Sequence, residues 1–155
     1  MLSRVAKNIY WIARYLERAE NTARLVNVNI HLFMDLPSTS RTFGWESLIT
    51  IMGSNRLFYE LYSEPTEDNV INFLLGDTRN LGSIHSALAQ ARENMRTTRD
   101  IVPKEAWEQL NNLYLFVKNE VTNGITKRNR YEFLKQVILG CQQITGIASG
   151  TMSRD

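Results

Sequence analysis

The stretch VAKNIYWIARYLERAENTARLVNVNI, residues 5–30, decides the fold. Within it Val5, Ile9, Ile12, Leu16, Ala19, Ala23, Val26 and Ile30 follow one another in steps of four and three. Apolar residues at that spacing share one helix face and form a heptad-like seam. The pattern predicts a first helix from about Ser3 to Met34, stopped before Pro37. At about 1.5 Å of rise per residue it is nearly 50 Å long. Trp11, Leu25, Val28 and Leu32 fall roughly opposite the seam at about 100° per residue. A helix apolar on two sides needs cover on two sides. It is expected either at the centre of a bundle or against a partner, and those four residues are the candidate interface.

Working outward, WESLITIM reads as a short helix ended by Gly53, and Ser54 is placed to cap the next one, NRLFYELY. Thr66, followed by Glu67 and Asp68, opens VINFLL, which Gly76 closes. From about Gly82, the series Ile84, Leu88, Ala91, Met95 and Val102 marks another long helix. Pro103 then suits the first turn of the next, with Trp107, Leu110, Tyr114, Val117 and Val121 on one face. Asn129 and Glu132 have capping-box spacing before a last helix carrying Leu134, Val137, Ile138, Cys141 and Ile144. With no period-two segment, the expectation is an all-α bundle of six or seven helices in one domain over residues 1–155.

Composition agrees. The chain has 155 residues, 43% of them apolar and 22% charged, enough for one domain with a real core rather than a disordered chain. Only 3 Pro and 8 Gly favour long helices over many turns. A formal charge of +2 does not point to nucleic acid, and Lys127, Arg128 and Arg130 read as a solvated loop. Cys141 is the only cysteine, so no intrachain disulfide can form, which fits a reducing, cytoplasmic setting. No apolar run approaches the roughly 20 residues that span a bilayer. The basic amphipathic start mimics a transit peptide, but Glu17 and Glu20 arrive early and the pattern continues past them, which favours a structural helix.

Several chemistries drop out. No phosphate-cradling Gly-rich loop is present. A di-iron bundle needs Glu-x-x-His, and the residues three before His31 and His85 are Val28 and Gly82. One cysteine and two separated histidines leave no zinc site, so neither metal nor cofactor is expected. His85 reads as structural and Cys141 as a buried, inert thiol. Trp11, Tyr15, Phe33, Trp45, Phe58, Trp107 and Phe116 read mostly as core.

Two charged segments remain open. In RYLERAENTARL, Glu20 lies beside the seam, Glu17 and Arg24 further round, and Arg14 on the second face; Glu20 and Arg24 form a favourable i, i+4 pair. In ARENMRTTRD, Arg92 and Arg99 flank the seam, Arg96 sits slightly outward and Glu93 points away. The segments could form a structural ion-pair network between helices, with Glu17 or Glu20 meeting Arg92, Arg96 or Arg99. They could instead form a carboxylate or phosphate pocket in which Arg14, Arg18, Arg92, Arg96 and Arg99 grip the ligand and Glu17 acts as acid or base.

YLERAENTARL, after MLSRVAKNIYWIAR, resembles the signature of the bacterial alpha-E domain family, a helical domain named for its Glu-Arg motif; Glu17 and Arg18 match the pair. Residues 83–111 resemble the family's second signature, with Arg92, Glu93, Asn94 and Arg96 matching. The family usually has Pro after the Asn before that helix, whereas Leu81 follows Asn80 here. ASGTMSRD, at the end, is similar to the family's midpoint, where a second Glu-Arg helix begins; Met152, Ser153 and Arg154 echo Met1, Ser3 and Arg4. The chain therefore resembles an N-terminal half, which would leave the second face of the first helix without its usual cover. The resemblance implies an accessory protein that works beside ATP-grasp ligases and transglutaminase-like peptidases in making or modifying a small peptide or amide-linked product. ATP binding and thiol catalysis would belong to those partners.

Overall fold

The computed structural model describes residues 2–152. Seven α-helices follow in order: α1 Leu2–Met34, α2 Arg41–Ile51, α3 Asn55–Leu61, α4 Glu67–Leu75, α5 Ile84–Arg96, α6 Lys104–Asn123 and α7 Arg130–Met152. No strand occurs among the described residues. The echo of the N-terminus at Ser153 and Arg154 lies outside them.

The four long helices form a bundle in which α1 and α6 each pack on both α5 and α7. The short helices form a flank, α2 against α1 and α4, and α4 against α5. The seam explains this layout. From Ile12 to Ile30 every seam residue is buried, and Ala19, Ala23 and Val26 are fully enclosed. Small side chains there let the neighbouring helices approach α1 closely. Leu88, Ala91, Leu110, Val117, Leu134, Val137 and Cys141 supply the facing surfaces.

Helix ends follow local chemistry in some places and tertiary packing in others. Thr66 and Ser83 have extended backbones and accept bonds from the Asn69 and Ser86 N–H groups, as N-caps do. Ser54 does not cap α3: its backbone is not extended, and its hydroxyl donates to the Met52 carbonyl at 3.3 Å. The Asn129–Glu132 box also fails to close. The Asn129 side-chain oxygen turns back to accept from the Thr126 N–H at 2.7 Å, and Glu132 takes the Gln136 amide. The helix expected to reach Val102 ends at Arg96. The hydroxyls of Thr97 and Thr98 take the Asn94 carbonyl at 2.8 and 3.0 Å, competing with the backbone N–H groups that would continue α5.

The short helix expected at WESLITIM starts a turn earlier, at Arg41. Its Gly44 lies against Phe33, where a Cβ would sit 2.7 Å from the ring. Phe33 in turn meets Trp45 edge-on at 4.9 Å, locking α2 to the end of α1. Gly53, with φ +68°, then closes the turn out of α2 in a conformation that favours glycine.

Among the described residues no helix is long and apolar enough to cross a membrane.

Candidate functional site

The wet side of α1 is the reverse of its seam. Arg14, Glu17, Arg18 and Asn21, at i, i+3, i+4 and i+7, are all exposed. Their interactions stay on their own helix. Arg14 Nη1 donates to Glu17 Oε2 at 3.3 Å, with both side chains about half exposed. Arg18 lies 5.7 Å from the Tyr15 ring and has no ion pair among the described residues. One position nearer the seam, Arg24 Nε donates to Glu20 Oε2 at 2.9 Å.

The expected network between helices is therefore not formed. Glu17 and Glu20 pair within α1, and Arg96 pairs with Glu93, one turn back on α5, through bonds of 2.6 and 3.1 Å. Glu93 does not point idly away: the Arg96 guanidinium lowers its carboxyl below the usual range. Arg92 and Arg99 turn to α6 instead of α1. Arg92 Nε donates to Asn111 Oδ1 at 2.8 Å, and its guanidinium lies 4.9 Å from the Tyr114 ring. Arg99 lies 4.8 Å from the Trp107 ring. Those flat aromatic faces offer a guanidinium contact without full desolvation of the charge.

The five candidate arginines thus divide. Arg14 and Arg18, with Glu17, line a pocket of about 330 Å³ on the wet side of α1; Arg92, Arg96 and Arg99 do not line it. Thr22 and Leu25 continue the α1 wall. Met52, Ser54 and Leu74 supply the opposite wall, and the Asn80–Gly82 turn closes one end. Thr22 is only 2% exposed. The turn depends on the buried Asn80 amide, which donates to the Phe73 carbonyl at 2.9 Å and accepts from the Gly82 N–H at 3.0 Å. Leu81 is exposed and takes no part in that bonding.

Beside the turn, Asp77 anchors the flank. Burial would raise its carboxyl, but bonds from Arg79, the Tyr62 hydroxyl and the Arg79 backbone outweigh it and hold Asp77 at about 2. Cys141 moves the other way. Burial, with Glu20 nearby, pushes its thiol up to about 12, so it is not a nucleophile at neutral pH. His85 sits between the Gly76 carbonyl and the Tyr114 ring. Among the described residues no three His, Cys, Asp or Glu side chains gather as metal ligands.

Of the proposed interface, Val28 and Leu32 are more than half exposed and Trp11 is 37% exposed, while Leu25 packs partly on the core. Met52, Ser54, Leu74, Asn80 and Gly82 were not foreseen as pocket residues. They meet α1 only through the tertiary fold, and no local pattern marks them.

A family model described as "a predicted alpha-helical domain with a conserved ER motif" matches residues 1–155. No curated protein and no solved structure matches the chain.

Proposed function

Because the chain belongs to the alpha-E family, we propose that it is a non-catalytic helical accessory protein, with the exposed α1 face around Glu17 and Arg18 as its docking surface. One observation carries this reading. Glu17-Arg18 is the chain's only Glu-Arg dipeptide, and it lies on the wet side of α1, where it holds no other helix in place. A motif kept by a family but unused in packing is better explained by something outside the chain. The apolar ends of the same helix, Trp11 on one side and Val28 and Leu32 on the other, add surface for a partner.

The partners proposed are an ATP-grasp ligase and a transglutaminase-like peptidase of the bacterial cytoplasm, which would supply the chemistry of amide-bond formation or cleavage. Mixing the purified chain with a candidate ATP-grasp ligase and a candidate transglutaminase-like peptidase from the same cell, followed by sedimentation velocity, tests this. A complex is expected, and Arg18→Glu is expected to abolish it. A wild-type chain that sediments unchanged in the presence of both candidate enzymes refutes the assignment. The same face could instead bury itself against a second copy of the chain. Sedimentation equilibrium over about a hundredfold range of concentration separates that homodimer from a monomer awaiting its partner.

A second reading is supported by the pocket itself. Arg14 and Arg18 could take a carboxylate or phosphate, with Glu17 as acid or base. Titration calorimetry with glutamate and with inorganic phosphate tests it. Binding that Arg18→Ala removes would favour a ligand-holding subunit over a docking face.

A further inference from the structure

A second cavity, of about 640 Å³, lies where the end of α1 meets the starts of α2, α4 and α7. It shares no lining residue with the Glu17–Arg18 pocket. Its size falls within the range of small-molecule sites. Its floor is apolar: Ile30, Phe33 and Trp45 are buried, and the Phe33 and Trp45 rings meet edge-on at 4.9 Å. Met34 and Tyr131 stand exposed at the rim.

The cavity also carries an imbalance of charge. Arg41, Lys127 and Arg130 line it against one carboxylate, Glu67. Glu67 bonds Lys127 at 3.2 Å and Arg130 Nη1 at 2.9 Å. Burial would raise the Glu67 carboxyl, but those two cations more than compensate and lower it. Arg41 is exposed and has no ion pair among the described residues. The Arg130 side chain is only 12% exposed and lies over the Trp45 ring at 6.0 Å. A guanidinium offers five N–H donors, and the Arg130 hydrogen bond to Glu67 engages one nitrogen. A mostly buried cation with donors to spare, beside an unpaired arginine and above an aromatic floor, matches a ligand with an apolar body and one anionic end.

We propose that this cavity is a binding site for a small aromatic carboxylate, its ring on Phe33 and Trp45 and its carboxylate held by Arg41 and the free edge of Arg130. Carboxylate is preferred because arginine engages it in the plane of its fork, and the two arginines, Arg41 and the spare donors of Arg130, give one carboxylate group its partners. The site is independent of the docking role assigned to the Glu17–Arg18 face, so either can fail without the other.

The test is NMR titration of the full chain with N-acetyl-phenylalanine, its uncharged amide, and inorganic phosphate, following the Trp45 indole signal. Saturable shifts at Trp45 but not at Trp11 or Trp107 are expected with the carboxylate, with at least about tenfold weaker binding of the amide and of phosphate. Arg41→Gln, at an exposed position that should not disturb folding, is expected to weaken the carboxylate about tenfold. Equal affinity for carboxylate and amide would overturn the charged half of the proposal, and equal affinity for phosphate the apolar half. Shifts centred on Trp11 or Trp107, or no saturation by the carboxylate at millimolar concentration, would overturn the site.

Discussion

The two sides of α1 use the same helix for opposite purposes. One side, from Ile12 through Ala19 and Ala23 to Ile30, disappears into the bundle. The other carries Arg14, Glu17 and Arg18 exposed along the edge of a pocket, with Arg14 and Glu17 paired within the helix and Arg18 laid on a neighbouring ring. The lesson is that a charged motif next to an apolar seam need not serve the seam. Arginine offers a second contrast. Arg92 of α5 and Arg99 just beyond it lie on the rings of α6, whereas the ring beside Arg18, Tyr15, belongs to its own helix.

The contrast can be broken most forcefully on the buried side. Leu16 is 3% exposed, and Leu16→Ala should cost about 2–4 kcal/mol through lost burial and the cavity left behind. Urea unfolding measures this, and a loss below about 1 kcal/mol would mean the seam is not the core. The next effect appears in acid. Asp77 has a folded value of about 2 against an ordinary 3.8, so it stabilises the fold fully above about pH 4. That contribution, on the order of 1–2 kcal/mol, is lost as pH falls towards 2. Stability measured against pH should therefore fall less steeply in this window for Asp77→Asn than for the parent. Arg92→Ala should cost about 1–2 kcal/mol, since it removes a half-buried hydrogen bond to Asn111 and contact with the Tyr114 ring. Glu17→Ala is the smallest change, under about 0.5 kcal/mol, because its one pair is exposed. A loss near 3 kcal/mol, the figure for a stranded buried charge, would restore the network between helices.

What could be read from residue order was what repeats along one helix. The α1 seam, the long first helix, the Thr66 cap and the Gly53 and Gly76 stops all depend on neighbours within a turn or two, and the bundle follows from them. The end of α5 was misjudged because Thr97 and Thr98 compete for carbonyls within an otherwise helical pattern. The destinations of Arg92, Arg99 and Arg130 were not legible at all. Helical spacing places Arg92 beside the seam but does not say whether a carboxylate of α1 or a ring of α6 stands opposite. Arg130, read as part of a solvated loop, turns inward because α7 begins there and Glu67, 63 positions earlier, waits on α4. Cavities are made from such distant meetings, so neither pocket could be drawn from the sequence, although Arg14, Glu17 and Arg18 were singled out.

The central claim is that the Glu-Arg pair is kept for a partner and not for the fold. The most direct measurement is made on Glu17→Ala/Arg18→Ala, comparing its urea midpoint with the parent and its co-sedimentation with the ATP-grasp ligase proposed as its partner. An unchanged midpoint, within about 0.5 kcal/mol of stability, together with loss of the complex is the predicted result. A stability loss comparable to that of Leu16→Ala, or a complex that survives the double substitution, would contradict it.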